Sequence, residues 1–143
     1  AAGPARPGRG SQPAPGWTWD RLGRALLRPH TSYFVEVYPL VEHGSVSGIA
    51  HITGGGIAGN LARILPAGTA AVVKKSTWRV PEIFKLIAAS GPVAEEEMFR
   101  AFNMGLGMLL VVPHRNLPEV LGQAHGSRVV GEITEGDGGV TVS

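Results

Sequence analysis

The chain has 143 residues, of which 43% are hydrophobic and 17% charged, with a net charge of +2. Such a composition builds one globular core and does not match the low-hydrophobicity, high-charge signature of disorder. The basic residues fall singly or in short pairs, which argues against a nucleic-acid partner, and the absence of cysteine excludes disulfides and thiolate chemistry.

Residues 1–16 are almost wholly Ala, Gly, Pro, Arg, Ser and Gln and read as a flexible tail or linker. A globular domain is expected over residues 17–143. Asp20 is placed to cap a short helix running to Leu27 and ended by Pro29. The spacing of Phe34, Val37, Tyr38 and Val41 predicts a second helix over residues 31–43, with Pro39 as a source of a kink and Gly44 as its stop. Residues 48–53 form a short strand that runs into three glycines. Ile57, Leu61, Ile64 and Leu65 then mark a helix face.

Residues 70–74 read as a strand, and Pro81 opens a helix that carries Ile83, Phe84, Leu86 and Ile87 up to Gly91. Glu95, Glu96 and Glu97 begin another helix reaching Phe102. The most apolar strand covers residues 106–112, residues 117–124 form a helix, and residues 129–134 and 140–142 are late strands around the turn at 135–139. Alternation of strands and helices predicts an α/β (α+β) fold, a mixed sheet covered by helices. The apolar run at 106–113 falls far short of the roughly 20 residues that span a bilayer, and residues 1–16 lack an apolar signal core. A soluble, cytoplasmic protein with no membrane partner is expected.

The chemistry concentrates at His51, Ile52, Thr53, Gly54, Gly55 and Gly56. Consecutive glycines between a strand and a helix bring bare N–H groups close to a ligand, and a helix start adds donors suited to phosphate or carboxylate. Thr53 adds a hydroxyl, and His51, if its strand lies at the centre of the sheet, would present an imidazole near the same cleft as acid, base or hydrogen-bond donor. A tight turn with close strand–helix packing, and a histidine of no catalytic role, account for the same residues. Asn103, in Phe102-Asn103-Met104-Gly105-Leu106-Gly107-Met108, either ends the preceding helix in a left-handed conformation or touches substrate. Trp78, Pro81, Ile83 and Phe84 read as core and helix start. His43, His114 and His125 lack metal-site spacing, so no metal ligands are assigned.

Taken together, LLRPHTSY at 26–33, HITGGGIAGNLARILP at 51–66, Trp78 with PEIF at 81–84, FNMGLGM at 102–108 and GEITEGDGGV at 131–140 resemble the C-terminal domain of phosphoribosylformylglycinamidine cyclo-ligase, the aminoimidazole ribonucleotide synthetase of purine biosynthesis. The resemblance covers nearly everything from Leu22 to Val142. It implies an enzyme in which ATP, with Mg²⁺, phosphorylates the formyl-derived amide oxygen of formylglycinamidine ribonucleotide, after which an internal nitrogen closes the imidazole ring. It also implies a preceding ATP-binding, dimer-forming half that is absent here, so this domain binds no cofactor alone, is inactive alone and supplies one wall of a substrate cleft. On the match, Thr53, Gly54, Gly55 and Gly56 hold a phosphate or other polar part of the substrate and His51 faces the cleft as the proton-handling group; Asn103 is a further substrate-binding candidate from the reading of the residues alone. Asn60 and Arg63 also match, though capping and surface charge explain them equally well.

The sequence departs from the family pattern at Pro29, His30 and Thr31, where Pro-Thr-Arg is common, and at Gly59, where an acidic residue is frequent. Two other readings stay open: a non-enzymatic module whose glycine turn holds phosphate for recruitment, and a purely structural interaction domain.

Overall fold

The computed structural model describes residues 16–143, so the tail expected over residues 1–16 lies, Gly16 apart, outside the described residues. The chain divides into a first unit ending at His30 and a second spanning Thr31–Ser143. In the first, α1 spans Trp19–Leu26, and its cap is Thr18 rather than Asp20. The extended backbone at Thr18 lets its Oγ1 accept the Arg21 amide at 3.2 Å, which satisfies one orphan donor of the helix start. Asp20 lies inside the first turn and pairs with Arg24 at 2.8 Å.

The second unit contains α2 (Phe34–Glu42), β1 (Gly48–His51), α3 (Gly56–Ala62), β2 (Thr69–Val73), α4 (Glu82–Ser90), α5 (Glu95–Ala101), β3 (Met108–Val111), α6 (Leu117–Gln123), β4 (Gly131–Glu135) and β5 (Val140–Val142). Each expected helix and strand has its counterpart, and the α/β reading holds. Pro39 does not end α2: the Val37 amide reaches Tyr33 O at 2.9 Å before it, and the His43 amide reaches Pro39 O at 3.0 Å after it. Proline removes only its own N–H from that ladder.

One sheet was expected, and two are found. In the first, β1 pairs antiparallel with β3, Gly48 opposite Val111 and His51 opposite Met108. In the second, β2 lies between β4, antiparallel to it, and β5, parallel to it. The two late strands therefore do not pair with each other across their turn. Hydrogen bonds from Gly136 N to Gly68 O (3.0 Å) and from Gly138 N to Thr69 O (2.7 Å) fasten that turn over the start of β2, so the chain steps across β2 instead of doubling back.

The main core gathers Ala50, Ile52, Ile57, Leu61, Ala71, Val73 and Leu109, which joins α3 to both sheets. A second cluster of Leu40, Val120 and Ala124, with Leu110 and Val112 against it, joins α2 and α6. β3 thus sends Leu109 and Val111 into one cluster and Leu110 toward the other. A strand covered on both faces reads as an unbroken apolar run, which is what Met108-Leu109-Leu110-Val111-Val112 is. Between α2 and α6, buried Ser45 donates its hydroxyl to Glu119 at 2.8 Å and its carbonyl accepts from Asn116 at 3.1 Å.

Two glycines separate packing from propensity. A methyl on Gly131 would run into the Val72 carbonyl across the β2–β4 ladder, whereas one on Gly59, in α3, would meet nothing within 4 Å. Gly131→Ala is expected to lower unfolding free energy by about 1–3 kcal/mol through overpacking. Gly59→Ala is expected to raise it by about 0.5–1 kcal/mol through helix propensity. Urea unfolding of both variants measures the contrast.

Candidate functional site

β1 ends at His51, and the next residue remains in the core: Ile52 is buried and its amide donates to Gly107 O at 2.9 Å. That bond places the His51–Gly56 turn beside the Gly107–Met108 start of β3, so the two glycine-bearing motifs are spatial neighbours. The chain must then reverse into α3. It does so through Gly55 at φ +96° and Gly56 at φ +63°, backbone that L side chains rarely adopt. Gly56 is also buried so closely against the Phe99 carbonyl of α5 that a Cβ would overlap it.

Asn60 fixes the orientation of this turn. Its side chain is buried, and Nδ2 donates to Gly56 O at 2.8 Å and to Thr53 O and Gly54 O at 3.3 Å each. In a trans peptide the C=O of one residue and the N–H of the next point in opposite directions. Carbonyls of Thr53 and Gly54 drawn toward buried Asn60 therefore aim the Gly54 and Gly55 amides away from it. Among the described residues, the amides of Thr53, Gly54 and Gly55 donate to no backbone or side-chain acceptor. All three residues are exposed, while the Gly56 amide is used internally, on Thr53 O at 3.1 Å. Arg63 completes the arrangement: its guanidinium donates to Asn60 Oδ1 at 3.2 Å, and Nη2 lies 3.8 Å from where a Cβ on Gly55 would stand. Outward amides beside a guanidinium have the chemistry to accept an anion. α3, at seven residues, adds only a short helix dipole.

His51 is exposed at the end of β1, and β1 pairs on one side only, in a two-stranded sheet; the expected position at a sheet centre is not found. Asn103 does not take the left-handed conformation. Met104 does, at φ +50°, with the Trp78 indole N–H donating to its carbonyl at 3.0 Å. Asn103 instead accepts the Gly105 amide on Oδ1 at 3.0 Å, a turn its side chain closes locally. The Met104–Gly105 turn thus rests on Trp78, which also meets the Phe99 ring edge-on at 6.4 Å. Trp78 and Phe84 are partly buried packing residues, as expected.

A cavity of about 1300 Å³ lies elsewhere: its walls come from both sheets and α6, and neither His51 nor the Thr53–Gly56 turn lines it. Glu82, at the start of α4, is also away from the turn; hydrogen bonds from Lys85 and Arg79 hold its carboxyl below the usual value. Among the described residues no group of three His, Asp or Glu side chains is arranged to hold a metal ion. None of the described helices is long and apolar enough to cross a membrane.

Sequence reasoning undervalued Asn60. The available signal was a polar residue one turn after Gly56, on the same helix face as Ile57 and Leu61. Replacing it with leucine keeps the branching at Cγ and removes the donor. Asn60→Leu is expected to lower stability by about 1–3 kcal/mol, the penalty for leaving buried acceptors unpaired. Amide exchange at Gly56 should accelerate in step, and exchange unchanged there would show that the turn holds itself.

Comparison with known proteins places these motifs. Residues 12–143 match the family described as AIR synthase related protein, C-terminal domain. The phosphoribosylformylglycinamidine cyclo-ligase of Geotalea daltonii is 48% identical over 118 residues, 80% of this chain and 34% of that protein. The cyclo-ligase of Myxococcus xanthus is 47% identical over 121 residues, 82% of this chain and 35% of its own, and that of Citrifermentans bemidjiense 45% over 122, covering 82% and 35%. The chain therefore spans about a third of the length of these relatives. It belongs to the AIR synthase related family, whose C-terminal domain it carries.

Proposed function

We propose that the chain is the C-terminal part of a cytoplasmic phosphoribosylformylglycinamidine cyclo-ligase, an ATP-dependent ligase of purine biosynthesis, and that it supplies one wall of the substrate cleft. An ATP-binding half supplies the other wall and a homodimer interface. The substrate is formylglycinamidine ribonucleotide. ATP phosphorylates its amide oxygen, which turns a poor leaving group into phosphate, and an internal nitrogen then closes the imidazole ring.

The observation that supports this reading is the set of amides at Thr53, Gly54 and Gly55 that have no acceptor among the described residues, those of Gly54 and Gly55 aimed outward by Asn60, with the Arg63 guanidinium beside Gly55. Three donors and a guanidinium match a phosphate or a comparable polar part of a ribonucleotide. The Thr53 hydroxyl and the Gly56 backbone complete the seat. Asn103 adds a contact through Nδ2, which has no acceptor among the described residues while Oδ1 is engaged by Gly105. His51, two residues before the turn, handles a proton of the cyclisation. Mg²⁺ arrives with ATP; the donors here suit an anion rather than a cation, and no step of this chain runs through the metal.

Titration of the ¹⁵N-labelled chain with inorganic phosphate and with ribose 5-phosphate tests the seat. The Thr53, Gly54 and Gly55 amide resonances should shift, and Arg63→Gln should weaken binding about tenfold, the scale of one charge-assisted hydrogen bond. No movement of these amides at millimolar ligand would refute the site. Joined to an ATP-binding half, the chain should turn over substrate, and His51→Ala should lower kcat by about 10²–10⁴. The 143-residue chain alone should give no product.

A further inference from the structure

The cavity of about 1300 Å³ exceeds the usual small-molecule range, and its walls have an unusual pattern. Residues 105–114 all line it without a gap, as do residues 124–133; β2, the inner neighbour of β4, adds Thr69 and residues 71–73, whereas β5 contributes nothing and β1 only its first residue. A strand seen face-on shows every second residue; one seen edge-on shows them all. The trough therefore runs along the free edges of β3 and β4.

The hydrogen-bond phase agrees. In an antiparallel ladder the paired positions alternate. Ile52 N bonds Gly107 O at 2.9 Å and Lys74 N bonds Val130 O at 2.8 Å, which fixes the phase in each sheet. The backbone groups of Met108 and Leu110 in β3, and of Gly131 and Ile133 in β4, then point away from their partners β1 and β2. Apolar side chains stand open along the same trough: Leu121 is 41% exposed, Val129 53% and Ile133 40%. Unpaired edges beside exposed apolar residues form a template for another strand, which folded proteins otherwise cover or charge.

We infer that this trough is a strand slot, filled by an extended segment with alternating apolar side chains drawn from the part of the cyclo-ligase polypeptide outside the matched third. Two observations select that occupant. The relatives carry about two thirds of their length beyond the stretch shared with this chain. The slot also offers main-chain donors and acceptors on both sides, which an inserted strand satisfies and a compact ligand does not. Insertion merges the two sheets into one. The occupant pairs with about five residues on each side, the length of an ordinary strand. This inference rests on the reading of the chain as part of a cyclo-ligase, but not on the phosphate seat, since neither His51 nor the Thr53–Gly56 turn lines the trough.

Amide hydrogen exchange tests it on the 143-residue chain alone and on the same chain joined to the unmatched portion of the Geotalea daltonii relative. The amides of Met108, Leu110, Gly131 and Ile133 should exchange about a hundredfold more slowly in the joined protein. Equal exchange in the two proteins would overturn the inference. Protection of the same amides in the chain alone that rises with concentration would overturn it too, since a second copy would then be the occupant. If the joined protein fails to fold, overlapping peptides covering that unmatched portion are titrated into the chain. One apolar-alternating peptide slowing these four amides upholds the slot, and no peptide doing so disproves it.

Discussion

The geometry of the glycine turn depends on one buried carboxamide. Asn60 collects three carbonyl oxygens, from Thr53, Gly54 and Gly56, within 2.8–3.3 Å of a single nitrogen. No apolar side chain could gather them, because each buried carbonyl needs a donor. Peptide planarity then converts an interaction on the inside into a pattern on the outside: where the carbonyls turn in, the following amides turn out. The outward donors of Gly54 and Gly55 thus follow from a bond made beneath them, and Asn60 acts as a positioning residue.

The remaining motifs extend this constraint sideways. Gly56 must lie against the Phe99 carbonyl, Phe99 meets the Trp78 ring, and the Trp78 indole holds Met104 O. Gly107 then accepts the Ile52 amide, which returns to the strand leading into the turn. HITGGG, Trp78 and FNMGLGM are thus links of one closed circuit of contacts. A shift at any link moves the others, since packed interiors absorb little displacement. Residue types that look optional one at a time are fixed by this circuit: glycine where a Cβ would strike Phe99, and tryptophan where an indole N–H must reach a carbonyl.

Much of this was legible in the sequence, for identifiable reasons. The helices and strands follow from local periodicity, and the strand–glycine–helix arrangement from the short run Ile52–Ile57. The apolar continuity of residues 106–112 marked the most apolar strand, though not which elements would cover it. Non-local pairing was not legible. Nothing in residues 131–142 says that β2 will lie between β4 and β5, because that order is set by hydrogen bonds to Gly68 and Thr69, more than sixty residues earlier. The left-handed position fell on Met104 rather than Asn103 for a similar reason: propensity favours asparagine, and the Trp78 bond to Met104 O decided otherwise. The anchoring role of Asn60 was hidden because its partners are backbone carbonyls, which every sequence has.

The exposure of the turn carries the last step. Amides and a guanidinium in open water bind an anion weakly, since solvent competes for each hydrogen bond and screens the charge. The same donors become strong when a second surface excludes water, because electrostatic interactions grow as the effective dielectric constant falls. Thr53, Gly54 and Gly55 are held in place yet exposed, and the cavity of about 1300 Å³ does not include them. On the proposed reading, an arrangement preorganised on one side and open on the other is one wall of a site, and its donors reach full strength only when a second wall excludes water. That reading ties the chemistry proposed for the turn to a partner surface, and under it this domain would hold the donors without holding the cleft.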